Sequence, residues 1–184
     1  MAETDAHTTL PLPSLTPPPK LLIVCAPYYQ AIADGLVEGA RAALNDAGAG
    51  HDLIEVPGAL EIPVAIRLAA EAHSCEGYIA LGCVIRGETT HYETVCNDSS
   101  RGLMLLGADR GLCIGNGILT CETMKQAEAR ADPAGMNKGG GAAAAALHLI
   151  ALKRYFQPGP TREAPLPGSD DFLLAGAAGL NRTA

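Results

Sequence analysis

Leu21-Leu22-Ile23-Val24-Cys25 is an unbroken apolar run. A strand with one wet face alternates apolar and polar residues. A continuous run instead reads as a strand covered on both faces, as in a parallel sheet. Residues 30–47 follow it, with Ile32, Leu36, Ala40, Ala43 and Leu44 at helical spacing, and Gly48 ends that helix. The alternation then repeats. Asp52–Val56 reads as a second strand, Pro57-Gly58 as a turn, and residues 60–73 as a helix. Pro63 is tolerated because it lies in that helix's first turn. Tyr78–Ile85 reads as the third strand, 91–107 as a helix, Leu112–Leu119 as the fourth strand, and 122–131 and 139–155 as two more helices. Strands alternating with helices imply right-handed βαβ units. The expected fold class is α/β: a three-layer sandwich with a flavodoxin-like four-stranded parallel sheet, order 2-1-3-4, and helices on both faces.

The chain of 184 residues is long enough for one domain with a real core. Three parts are expected. Residues 1–19 form a Pro-rich arm ending in Pro17-Pro18-Pro19, 20–156 the folded body, and 157–184 a Pro/Gly linker with an apolar end at Phe172–Leu180. That end reads either as a simple extension or as a docking peptide. Hydrophobic residues reach 48 % against 18 % charged, which excludes a disordered chain. Aromatics are scarce, so Ala and Gly carry much of the apolar share and permit close helix packing. The net charge of −7, without any Lys/Arg cluster, argues against nucleic acid. The six cysteines form no C-x-x-C pair, so neither a zinc ribbon nor a thioredoxin motif is expected. Cys25, Cys83 and Cys113 sit in apolar runs, as reduced buried thiols do, and a cytoplasmic setting is expected. The first 20 residues lack an apolar signal core, and Gly139–Leu152, broken by His148, is too short and weak for a membrane span.

In doubly wound sheets the ligand lies beyond the carboxyl ends of the strands. The residues to examine are therefore 26–29, 57–61, 83–91 and 116–121. The third loop, Gly82-Cys83-Val84-Ile85-Arg86-Gly87-Glu88-Thr89-Thr90-His91, combines a flexible Gly, hydroxyls, a cation, a carboxylate and an imidazole ahead of a helix start. Backbone N–H groups there can hold an anion, and an imidazole can transfer protons in both directions near neutral pH. His91 could equally pack the helix start, and both readings stand on the residues alone. Glu61, in Pro57–Pro63, suits a helix N-terminus whether or not it touches a ligand. Tyr28 and Tyr29 can stack on a heterocycle or cover the sheet edge. Arg130 near a helix C-terminus is favourable there by itself.

Other chemistries fit less well. His91-Tyr92-Glu93 matches half of a zinc deaminase signature, but no P-C-x-x-C follows. There is no G-x-S-x-G elbow. Asn137-Lys138-Gly139-Gly140-Gly141 lacks the Walker order, so its glycines read as helix-packing positions. A Cys96–His91 couple is conceivable, with Cys96 more at home in the core.

Pro57–Pro63 (PGALEIP), Gly82–His91 (GCVIRGETTH) running on to Asn97, Gly117–Glu122 (GILTCE), Gln126–Arg130 and Asn137-Lys138-Gly139 occur in an order and spacing that resembles the lumazine synthase family. The resemblance covers about residues 20–156. It implies a transferase of riboflavin synthesis. That enzyme condenses 5-amino-6-(D-ribitylamino)uracil with 3,4-dihydroxy-2-butanone 4-phosphate to give 6,7-dimethyl-8-ribityllumazine, and it needs neither cofactor nor metal. It further implies that His91 is the proton donor and that Glu88 and Thr89 bind the butanone phosphate with Arg130. Ala59, Leu60 and Glu61 would hold the ribityl chain, Cys83, Val84 and Ile85 the pyrimidine through backbone groups, and Tyr28 would stack on the ring. Asn116 stands where many members carry an aromatic that reaches across the subunit interface, so either the uracil site is altered there or another residue compensates. The family forms pentamers with active sites between subunits. Some members close these into shells of about sixty subunits, and riboflavin synthase is an expected partner. The alternative is a non-catalytic flavin- or pteridine-binding, or shell-forming, protein of the same fold.

Overall fold

The computed structural model describes residues 10–72 and 74–157. Four strands, β1 (Lys20–Cys25), β2 (Gly50–Glu55), β3 (Gly77–Ile85) and β4 (Cys113–Cys121), form one parallel sheet in the order β2-β1-β3-β4. The helices are α1 (Gln30–Asp46), α2 (Glu61–Glu71), α3 (His91–Arg110), α4 (Met124–Ala131) and α5 (Lys138–Phe156). The α/β sandwich and its strand order are those expected from the alternation. The C-terminal tail, with its apolar end, lies outside the described residues.

Successive side chains of a strand point to opposite faces. Leu21, Ile23 and Cys25 of β1, with Ile79, Leu81 and Cys83 of β3, therefore meet Leu36, Leu147 and Ile150 on the α1/α4/α5 face. Leu22 and Val24, with Tyr78 and Ala80, meet Ile62, Ile66 and Leu103 on the α2/α3 face. Apart from Lys20 at the start of β1, both central strands are thus apolar, which is why the LLIVC run decides the fold. Each fully buried Leu or Ile contributes roughly 1.5–3 kcal/mol.

Close packing on the first face depends on missing side chains. A Cβ on Gly115 of β4 would lie 1.8 Å from the Ala142 carbonyl oxygen, and one on Gly139 would lie 2.0 Å from that of Leu36. The backbone of α5 therefore rests directly on β4 and α1. Gly48, at φ +67°, takes the left-handed conformation that stops α1.

Several boundaries differ from the sequence reading. β2 runs Gly50–Glu55 rather than Asp52–Val56, although the Val56 N–H still donates to the Cys25 carbonyl at 2.9 Å. β4 continues to Cys121, so residues 116–121 are strand rather than loop. Its alternate residues Cys113, Gly115, Gly117, Leu119 and Cys121 stay buried, which extends the pairing past Leu119. α3 runs to Arg110, where Gly111 in the left-handed region ends it. α4 starts at Met124, because the Thr123 hydroxyl caps it by accepting from the Gln126 N–H at 3.3 Å.

Candidate active site

The carboxyl ends of β1 and β3 open into a cleft of about 480 Å³. Each wall comes from a turn that follows a strand. After β1 the chain bends at Tyr28 and Tyr29, whose rings meet edge to face with centroids 5.1 Å apart. Tyr28 is 74 % exposed, an apolar ring left open to a ligand. Partial burial, with lesser contributions from Tyr28 and Cys83, pushes the Tyr29 hydroxyl's pKa up.

After β2, the Glu61 N–H donates to the Gly58 carbonyl at 3.2 Å, closing the turn that starts α2. A Cβ on Gly58 would meet a Glu61 carboxylate oxygen at 2.9 Å, so the turn lets that carboxylate fold over it. Glu61 is the first residue of α2, at the favourable end of the dipole.

After β3, the Arg86 N–H still donates to the Cys121 carbonyl at 2.9 Å before the chain leaves the sheet. Residues 87–90 then lead to His91, the first residue of α3. The His91 N–H reaches the Thr89 hydroxyl at 3.4 Å. Burial, and then Cys121, push the Cys83 thiol up to about 12. It stays protonated and is no nucleophile at neutral pH. Burial likewise pushes the Cys96 thiol up.

Of the residues expected at the site, Tyr28, Ala59, Leu60, Glu61, Cys83, Val84, Ile85, Thr89 and His91 line this one cleft. Glu88, Asn116 and Arg130 do not. Glu88 is exposed on the loop. Asn116 is exposed on β4, and its side-chain oxygen accepts from the Ile118 N–H of its own strand at 3.0 Å. Arg130 folds back to donate to the Gln126 carbonyl at 3.1 Å, in the last turn of α4. Ala26, Tyr29, Gly58 and Gly87, from the strand-end loops singled out in the sequence, also line the cleft, and Tyr92 and Val95 line it from beyond those loops. Val95 could have been found from its position one helical turn past His91.

A groove of similar size, about 490 Å³, runs between α1 and β2 and carries the carboxylates of Asp34, Glu38 and Glu55. It holds neither an imidazole nor a strand-end loop, so the chemistry points to the first cleft. Among the described residues, no cluster of three or more His, Cys, Asp or Glu side chains is placed to hold a metal ion.

Residues 18–154 match the family model described as 6,7-dimethyl-8-ribityllumazine synthase. The chain belongs to that family. A 6,7-dimethyl-8-ribityllumazine synthase of Jannaschia sp. is 54 % identical over 147 residues, covering 80 % of this chain and 82 % of the relative. One of Azorhizobium caulinodans is 57 % identical over 140 residues, 73 % of this chain and 86 % of its own. One of Sphingopyxis alaskensis is 54 % identical over 136 residues, 74 % and 96 % respectively. The matched span holds every strand and all the cleft residues of this lumazine synthase family member. Among the described residues no helix is long and apolar enough to cross a membrane.

Proposed function

We propose that the chain condenses 5-amino-6-(D-ribitylamino)uracil with 3,4-dihydroxy-2-butanone 4-phosphate. The products are 6,7-dimethyl-8-ribityllumazine, inorganic phosphate and water, one step before riboflavin. One observation carries this reading: in a chain of this family, Tyr28, the Glu61 turn, the Cys83–Ile85 strand end and His91 line a single cleft.

The cleft suits a flat, polar heterocycle with a hydroxylated side chain. The exposed Tyr28 ring offers a stacking face, and the end of β3 offers backbone donors and acceptors to the pyrimidine edge. Glu61 and the Ala59–Leu60 turn face the ribityl hydroxyls. The 5-amino group attacks the butanone carbonyl and water leaves as the imine forms. Phosphate is then expelled, and the ribityl-bearing nitrogen closes the ring with loss of a second water. Each step moves a proton, and His91 at the cleft wall is the group suited to supply and accept it. Holding both reactants together contributes much of the rate of such a condensation.

The lining residues include neither Lys nor Arg, yet a phosphate monoester needs a cation. The cation is Arg130 of a second copy, which also brings Asn116 to the uracil side. An assembly fits the surface. On the neighbouring helices α2 and α3, Val64, Leu68, Met104 and Leu105 are 59, 64, 68 and 49 % exposed. An apolar patch of that kind marks a contact surface. A cytoplasmic pentamer, open to riboflavin synthase as partner, is the form proposed.

The test is a turnover assay of both substrates followed by lumazine fluorescence. A rate well above the spontaneous one is expected, and a rate equal to it overturns the reading. Arg130→Ala should raise KM for the phosphate substrate by about tenfold or more, with KM for the uracil little changed. Equal loss of both would remove Arg130 from its role.

A further inference from the structure

A cation, Arg86, stands just ahead of the Gly87–Thr90 loop, and the structure commits it elsewhere. Its Nε donates to a Glu122 carboxylate oxygen at 2.6 Å, and Nη1 donates to the Glu93 carboxylate. The guanidinium also lies over the Tyr92 ring, 4.1 Å from its centroid. One residue thus joins the end of β3, the first turn of α3 and the segment just past β4. Arg86 does not line the cleft; Tyr92, which it covers, does.

The local charge explains why a cation is needed there. Glu93 sits in the first turn of α3, two residues after His91. Helix starts hold anions through their backbone N–H groups, so this turn is where a substrate phosphate gains most. Two uncompensated carboxylates beside it would repel a dianion. A planar guanidinium can pair with both at once, which a lysine ammonium does less well. The ion pair holds the Glu93 carboxyl below the usual carboxylate range, so Glu93 stays charged and keeps its partner.

We propose that Arg86 is a positioning residue of the condensation: it pairs with Glu93 and Glu122 at once, offsetting part of their negative charge, and ties the phosphate-binding loop to the segment just past β4, so that the loop accepts the phosphate-bearing substrate. This rests on the functional reading given above. The pair is exposed, with Arg86 about 40 % accessible, so it adds little to folding stability. Its effect is on the charge that an incoming anion meets.

The experiment is steady-state kinetics on the wild type, Arg86→Met, Arg86→Lys and the triple variant Arg86→Met/Glu93→Gln/Glu122→Gln. Both substrates are varied separately at low and high ionic strength. Arg86→Met should raise KM for the phosphate substrate roughly fivefold or more at low salt, with KM for the uracil moving less than about twofold. Added salt should shrink the difference, because exposed charges are screened. Arg86→Lys should recover part of the loss. The triple variant should recover most of it, since the unpaired carboxylates are gone. Equal changes in both KM values, or no recovery in the triple variant, would mean that Arg86 is only structural. If Arg86→Met does not fold, the triple variant and Glu122→Gln carry the test, and Glu122→Gln should lower KM for the phosphate substrate. Failure of the wild type to turn over would sink both readings. Turnover with an unchanged phosphate KM in Arg86→Met would sink this one alone.

Discussion

Gly115 lies in β4 under α5, and replacing it with Ala adds one methyl group where the structure has no room. The new Cβ would fall 1.8 Å from the Ala142 carbonyl oxygen and 2.7 Å from its carbonyl carbon. Real Cβ contacts stay above 3.0 Å, so α5 must retreat by about 1.2 Å. Nothing flexible can give way, because the opposing atoms are backbone. Such a retreat would loosen Ala143, Ala146, Leu147 and Ile150, all of them buried. Overpacking of this kind costs about 3 kcal/mol. For a domain of this size that is a fall in Tm of roughly 6–12 °C. The assay is thermal unfolding followed by circular dichroism at one fixed protein concentration, since assembly would couple stability to concentration. The control is Gly141→Ala on α5 itself, where an added Cβ meets nothing within 4 Å. Ala is the better helix former by about 1 kcal/mol, so this variant should be as stable as the wild type or more so. A Tm for Gly115→Ala within about 2 °C of wild type would refute the packing argument. So would an equal fall for Gly141→Ala.

Three other outcomes are expected. Asn137 holds φ 44° and its side chain accepts from the Gly140 N–H at 3.0 Å, capping α5. Asn137→Ala loses the cap and strains the left-handed backbone, about 2 kcal/mol together, whereas Asn137→Gly should lose about half as much, read as urea midpoints. Burial raises the Cys25 thiol from its ordinary 9.0 to about 11 and the Cys83 thiol from 9.0 to about 12. The unfolded chain releases these protons first, so stability should be intact below pH 9 and fall as pH rises through about 11 to 12, measured by urea titration across that range. A Cys83→Ala variant should show a shallower alkaline fall. His91→Ala should lower kcat by about tenfold to a hundredfold and leave both KM values nearly unchanged, because the other cleft walls still hold the reactants.

Much of the candidate site is legible in the sequence. Strand-end loops are where an α/β sheet exposes backbone groups, so locating β1 and β3 locates Tyr28, Cys83 and His91. The Pro57-Gly58 turn placed Glu61 at a helix start for the same local reason. Glu88, Asn116 and Arg130 were harder, because their sequence neighbours do not set their side-chain directions. Arg130 turns back onto its own helix, and Asn116 satisfies an N–H of its own strand. The Arg86 network was illegible for another reason: Glu122 is 36 residues away in the chain and meets Arg86 only because β3 and β4 pair.

The sequence alone determined that this chain is a parallel α/β sandwich. Apolar periodicity is a local property, and the unbroken LLIVC run needs cover on both faces whatever the rest of the chain does. Only the tertiary structure decided how closely α5 approaches β4 at Gly115 and which carboxylates hold Arg86. Those contacts join residues distant in the chain, and their distances follow from the stacking of layers, which no local pattern records.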